Sequence, residues 1–498
     1  MSLVRSVPRF ATVGLVVTAA CVYDARIPFQ PAGPAADARA PEFASVATRG
    51  GGANGRHIVS FSGSVPADFA AQVAALGGKV LWVSPGSGLA AVSGLQGSAA
   101  AELAGKRGIQ AVDADGAFSI DLPRTVVVGD ALPDAVESQA APATSFFFAR
   151  QWNMRAVHAN EAWAAGFLGS PNVSVFILDS GIDYLNIDLN GLVDQNRSVD
   201  LLGTFDAVLA DGSTVPFTES DTVAKYFPTR QPFTDLFFHG THVAATVSSL
   251  ARGAAGVTSR TRLVAVKVCG YINDCPFSSI LNGVIYAADN GADVVNLSLG
   301  GAFTKPGNGR FVGLINKTFD YARSKSVTIV VAAGNDTTDL DHDGNSYQTF
   351  CNTPAVICVA ATGPTSQVGI NGPWTNVDAH ADYSNFGRSA INVAAPGGNR
   401  STFVWAACSR TSIVVRTPPP ASIPICQTGN FFVGAQGTSM AAPHVAGTAA
   451  LLVPILGRNP GQIKARIQQS ADNVAGNGTT PFYGKGRLNV ARAVGAIP

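Results

Sequence analysis

Charge is what this 498-residue chain has least of: Asp, Glu, Lys and Arg make up 13% of it, and the formal net charge is +1. That is about half the charged fraction of an ordinary soluble chain. So even a balance gives no electrostatic reason to expect nucleic acid or an anionic membrane surface as a partner. No run of about 18 apolar residues occurs, so no transmembrane helix is expected. There is no CxxC pair to suggest zinc. The absence of HExxH argues against a metalloprotease, and the absence of GxSxG against an α/β-hydrolase esterase. Glycine is plentiful instead, at 53 residues. With abundant alanine, serine and threonine, it is the composition of a compact exported α/β protein, long enough for about two to four domains.

The N-terminus reads as an export signal. Arg5 and Arg9 form a basic region, Phe10–Ala20 is an apolar stretch, and small residues precede Cys21. Residues 1–20 are the expected signal peptide. Cleavage after Ala20 would be ordinary, but Cys21 in TAAC also resembles the lipid-acceptor cysteine of bacterial lipoproteins, with Thr18 where that family prefers Leu or Val. The protein is therefore expected to be secreted, or held at the cell envelope through a lipid on Cys21. The other six cysteines are an even number, and their close spacing suggests three local disulfides: 269–275, 351–358 and 408–426.

Residues 21–55 are rich in Pro, Ala and Gly and read as a tether. From His57 the texture changes. HIVSF alternates like a strand, and PADFAAQVAAL sets Phe69, Val73 and Leu76 on one helical face. KVLWV, LAAVSG, SAAAELAG and IQAVDAD complete a β-α-β-β-α-β order, a split βαβ arrangement over 56–120. Residues 121–146 look like a second linker. From 147 to 498, apolar strands alternate with helical segments, the pattern of a parallel sheet with helices on both faces. The strands expected there are NVSVFILD, TRLVAVKV, DVVNLSLGG, VTIVVAAGN and INVAAPGG.

Four polar residues fall at the ends of these strands or at the starts of the helices that follow, where open parallel sheets bind ligands. Asp179 ends VFIL, His239 opens HGTHVA, and Asn335 closes IVVAAG. Ser439 lies in GTSMAAPHVAG, ahead of small residues that let a helix lie close to neighbouring backbone. Pro443 is expected in the first turn of that helix, where its missing N–H is not needed. Taken one at a time, these residues read equally well as caps and turns.

Taken together they do not. DSGID, HGTHVA, NLSLGG, VVAAGN and GTSMAAPHVAG, in that order over about 147–495, resemble the subtilisin-type serine proteases. The resemblance implies an α/β fold with a subtilisin-like three-layer parallel sheet. It also implies that Ser439 is the nucleophile, His239 the base, Asp179 the orienting acid and Asn335 an oxyanion donor. It assigns Ser298, Leu299 and Gly300 to the edge that pairs with an extended peptide, and Ala332, Ala333 and Gly334 to a pocket wall. It makes 56–120 a small ferredoxin-like α+β prodomain that inhibits its own enzyme and aids its folding, with processing inside 121–146. The expected product is a monomeric endopeptidase acting on polypeptides through an acyl-enzyme, with no catalytic cofactor. A non-catalytic peptide-binding scaffold is the alternative, but no triad member is missing.

The chain departs from the family pattern at several points. Asn186-Ile187 stand where His-Pro is usual before Asp188. Phe238 replaces the usual Gly before the histidine and would narrow the cleft. A long segment between Asp179 and His239 is expected to be a surface loop framing substrate. Asp339, Asp341 and Asp343, with Gly344 sixth, match the first half of a calcium loop, but the twelfth position is Phe350 and not Glu. That leaves two readings, a calcium site borrowing ligands from elsewhere or a solvated acidic turn.

Overall fold

The computed structural model describes residues 55–118, 127–128, 138–208, 214–271, 275–348, 350–413, 426, 432–476 and 478–498. The expected signal peptide, Cys21, nearly all of the tether and much of 121–146 lie outside the described residues. The chain divides into Met1–Arg39 and Ala40–Pro498, and every described residue belongs to the second unit.

The first described module is β1 (His57–Phe61), α1 (Phe69–Ala75), β2 (Lys79–Ser84), β3 (Leu89–Ser93), α2 (Gly97–Ala104) and β4 (Ile109–Ala114). Its antiparallel sheet has the order β2-β3-β1-β4, the expected split βαβ topology. Val59, Phe61, Phe69, Val73, Ala90, Val92 and Leu103 form its own small core. Two short strands follow, β5 (Ala117–Phe118) and β6 (Val127–Val128).

Next come α3 (Trp152–Ala156), α4 (Ala159–Ala164), β7 (Ser174–Asp179), β8 (Val199–Asp200), β9 (Thr204–Val208), β10 (Thr214–Thr218), α5 (Glu219–Tyr226), α6 (His239–Val247), β11 (Arg262–Lys267), β12 (Cys275–Pro276) and α7 (Phe277–Asp289). They lead into β13 (Val294–Leu297), β14 (Ala302–Thr304), α8 (Gly309–Ser324), β15 (Thr328–Ala332), β16 (Ser346–Gln348), β17 (Val356–Thr362), β18 (Ser366–Gln367), β19 (Trp374–Thr375) and β20 (Val393–Pro396). The last elements are β21 (Val404–Ala407), β22 (Phe432–Ala435), α9 (Thr438–Leu456), α10 (Pro460–Ser470) and α11 (Val490–Val494).

A seven-stranded sheet of order β20-β17-β15-β13-β7-β11-β8 is the frame, and its registered pairs are all parallel. SVFILD, VVNL, TIVVA and VICVAAT are buried along their whole length. Strands covered on both faces have no solvent side, so they run apolar without alternating. Successive strand residues point to opposite faces. A side chain at Gly283 of α7 would collide with Leu178, and one at Gly240 of α6 would press on the Cβ of Asp179. Helices α7 and α6 therefore lie on opposite faces of β7. Helix α9 packs on α6 and on β13, β15, β17 and β20. Long and apolar enough to cross a membrane by composition, α9 is in fact mostly buried in this core.

Three sequence expectations change here. Strand β17 was not anticipated, because the link from β15 to it is loop, β16 and a 3-10 turn, with no intervening helix to mark a new strand. Helix α8 begins at Gly309, well before NKTFDYARSKS, its first turns obscured by Gly309 and Gly313. Pro443 lies inside α9, past its first turn.

The three disulfides pair as expected: Cys269–Cys275, Cys351–Cys358 and Cys408–Cys426. The long segment between Asp179 and His239 is more than a loop. It holds the β9–β10 hairpin and α5, anchored by the buried Glu219 carboxylate on Lys267 of β11 at 2.7 Å.

The small module docks on the start of α7. Asp115 accepts the Ser278 backbone N–H at 2.9 Å and pairs with Arg56 at 3.2 Å. A carboxylate is well placed at a helix N-terminus, where free N–H groups and the dipole are positive. Arg56 in turn donates to the hydroxyls of Ser278 and Ser279 and to Leu202 O. Strand β5 pairs with β12 beside them, and β6 pairs with β22, the strand that leads into Ser439.

Candidate active site

Asp179 ends β7, Ser298 follows β13 and Asn335 follows β15, three neighbouring strands of the sheet. Parallel alignment puts all three at one edge, and α6 and α9 begin over that edge with His239 and Ser439 in their first turns. The Asp179 carboxylate accepts from His239 Nδ1 with both oxygens, at 2.8 and 3.0 Å, and both side chains are fully buried. The bond leaves Nε2 without a protein partner. His242, one turn on, donates Nε2–H to Val404 O, and burial pushes its pKa down to about 3. The first histidine of the motif is thus the one held by a carboxylate, and the second is a neutral packing residue.

A second carboxylate stands behind the first, one that the sequence reading missed. Asp235 accepts from the Ser180 hydroxyl at 2.9 Å, and Ser180 N–H donates to Asp179 at 2.7 Å. Asp235 also takes the N–H groups of Phe237 and Thr241, so it ties the approach to α6 to the end of β7. Burial raises its pKa, partly offset by these bonds. The available signal was its place four residues before His239, ahead of a helix start.

Asn335 is oriented by its own acceptor end. Its Oδ1 takes the Thr438 N–H and the Thr438 hydroxyl, each at 2.9 Å, so the amide Nδ2 is turned away from them. Gly334 makes this possible with φ +97°, a left-handed conformation that favours glycine. Asn385 holds the loop from behind, donating to Ala333 O and accepting from Asp336 and Thr338 N–H. Thr438 and Asn385 were also missed, although Thr438 lies within the quoted GTS motif.

Ser439 is 2% exposed, and its hydroxyl donates to Ser298 O at 2.9 Å. Of the expected peptide-binding residues, Ser298, Leu299, Ala332 and Ala333 are all buried at this same edge. Asn186 donates to Cys408 O and accepts Asp188 N–H, so the departure from His-Pro leaves a well-bonded turn. Phe238 is fully buried, with its ring against Phe237.

The calcium expectation is not supported. Asp339 bonds His342 Nδ1, Asp341 accepts from Ser389 and Ala390, and Asp343 pairs with Lys305 at 2.6 Å. Each carboxylate is turned to a different protein donor. Among the described residues, no three His, Cys, Asp or Glu side chains come together to hold a metal. Acidic residues at alternate positions encode a metal loop only if the backbone wraps them inward.

Residues 170–486 match the subtilase family. A thermophilic serine proteinase of Bacillus sp. (strain AK1) is 30% identical over 356 residues, spanning 71% of this chain and 69% of that one. Thermitase of Thermoactinomyces vulgaris is 29% identical over 356 residues, covering 71% of this chain and 99% of its own. The fold is shared by the epidermin leader peptide processing serine protease of Staphylococcus aureus, with a TM-score of 0.64 at 20% identity over 88% of this chain and 97% of that one. This chain belongs to the subtilase family of serine endopeptidases.

Proposed function

We propose that the chain is the precursor of an exported endopeptidase that cleaves peptide bonds with Ser439, His239 and Asp179. The buried Asp179–His239 pair at the start of α6, beside the serine at the start of α9, carries this reading. A hydroxyl is a weak nucleophile until a base takes its proton. With Nδ1–H committed to Asp179, the ring offers Nε2 as an acceptor that has no protein partner. Ser439 Oγ would swing from Ser298 O to Nε2 when substrate arrives, since such bonds often tighten only in the substrate complex. Asp179 keeps the tautomer and stabilises the imidazolium. The tetrahedral oxyanion would meet Asn335 Nδ2 and Ser439 N–H.

The substrate would lie extended along Ser298-Leu299-Gly300, with the side chain before the cut against Ala332-Ala333-Gly334. Residues 56–120 serve as inhibitory prodomain and folding aid. Burial of all three triad side chains in the full-length chain supports a closed precursor. So does the pairing of β5 and β6 with β12 and β22. Processing would fall in 121–146 and export would run through 1–20; lipidation of Cys21, or ordinary cleavage after Ala20, would decide whether the precursor is tethered at the envelope or free.

The test compares purified full-length protein with Ser439→Ala, by gel and with a fluorophosphonate probe. Wild type should shorten to the 147–498 region and take up the probe, and Ser439→Ala should do neither. A wild type that stays intact and unlabelled even after added trypsin would make this a peptide-binding scaffold. Asn335→Ala should lower kcat about 10²- to 10³-fold, the cost known for the oxyanion asparagine of subtilisin, a family member. Its KM should move little, because the ground-state carbonyl does not need the donor. Unchanged kcat on a peptide anilide would remove Asn335 from the chemistry.

A further inference from the structure

Helix α9 has a gap in its hydrogen bonding one turn from its start. In an α-helix the N–H of residue i bonds the carbonyl of i−4. For the Ser439 carbonyl that donor would come from position 443, but Pro443 has no N–H. An unpaired carbonyl in a buried helix costs free energy, and this one is shut away from solvent with Ser439.

The Ser298 side chain fills the gap. Its hydroxyl donates to Ser439 O at 2.8 Å, and Asn296 Nδ2 donates to the Ser298 hydroxyl at 2.9 Å. The exchange is reciprocal, since the Ser439 hydroxyl donates to Ser298 O. Two bonds thus lock residues 141 positions apart, and the lock sits on the residue whose Oγ must be aimed. Fixing the Ser439 carbonyl fixes its ψ, and so the direction in which Cβ and Oγ leave the backbone. Ser298 and Asn296 are fully buried, so this relay of donors is shielded from water.

We propose that the Ser298 hydroxyl, oriented by Asn296, is a positioning residue for the nucleophile, standing in for the backbone N–H that Pro443 lacks. This is distinct from the backbone role of Ser298 in peptide binding, and it rests on the reading of Ser439 as nucleophile. The same proline that breaks the bonding ladder makes the nucleophile's carbonyl dependent on a strand across the sheet edge.

The experiment is a double-mutant cycle in the full-length chain, following self-cleavage and then peptide-anilide hydrolysis by the processed enzyme. Ser298→Ala should lower kcat about 5- to 50-fold, the range for a lost buried hydrogen bond. KM should stay within about twofold, because the peptide-binding backbone is unchanged. Adding Pro443→Ala supplies the missing N–H and should recover most of the loss. Equal losses with and without Pro443→Ala, or a loss confined to KM, would overturn the proposal. If Ser298→Ala does not accumulate as folded protein, Asn296→Ala must show a smaller loss of the same kcat-selective kind, and full kcat in that variant also overturns it. An active wild type that loses nothing on Ser298→Ala defeats this inference alone. A wild type with no Ser439-dependent hydrolysis defeats the functional reading and this inference together.

Discussion

Ser439→Ala should abolish peptide hydrolysis to within about 10⁶-fold of the wild-type kcat, the size of loss known for the nucleophile of subtilisin. The size follows from what is removed: without Oγ no acyl-enzyme forms, and His239 has no proton to accept. What remains is direct attack by water, helped by the oxyanion donors and substrate binding alone. The substitution should not cost the fold. Ser439 Oγ makes one neutral bond, to Ser298 O, and the small helix-compatible alanine fills nearly the same space. A thermal melt within a few degrees of wild type, alongside a kcat reduced by less than about 10³-fold, would mean that another group is the nucleophile.

Asp179→Ala should lower kcat by about 10⁴-fold, less than loss of the nucleophile because Ser439 and His239 remain. The fully buried carboxylate accepts from His239 Nδ1 and from Ser180 N–H. Without it the imidazole is free to choose the tautomer with its proton on Nε2, where it cannot act as a base toward Ser439. The imidazolium would also form without the carboxylate that accepts its Nδ1–H, because Asp235 is turned to Ser180, Phe237 and Thr241 instead. Asp179→Asn tests the electrostatic part separately. It preserves shape, and a loss of similar size would show that charge and tautomer matter more than packing. Single-turnover kinetics on an activated ester decide it: acylation should slow by the full factor, and a loss under about tenfold would make Asp179 a structural aspartate.

Local chemistry carries far along the chain. The split βαβ module was legible because strands and one-faced helices have different periods: PADFAAQVAAL keeps the helical one, burying Phe69 and Val73, whereas HIVSF is buried on both faces and was read as a strand without a true alternation. The sheet was legible because parallel strands buried on both faces must be continuously apolar, as in VFIL and TIVV. The candidate site was legible because acyl transfer needs a nucleophile, a base and an acid, and the long motifs around Ser439, His239 and Asp179 offer those residue types in one order.

By itself, then, the sequence determined the fold class, the order of the chemistry-bearing residues and the disulfide pairs, all properties of short stretches or close spacings. The tertiary structure alone decided whatever depends on partners distant in sequence. It set Asp235 behind Asp179, turned the Asn335 amide by way of Thr438, and bridged the proline gap with Ser298. It also turned Asp339, Asp341 and Asp343 to separate donors, where their spacing had left a calcium site and a solvated acidic turn as two readings. The physical reason is the same in each case. A hydrogen-bonding group is satisfied by whatever the fold brings within about 3 Å, and no local pattern records which group that will be.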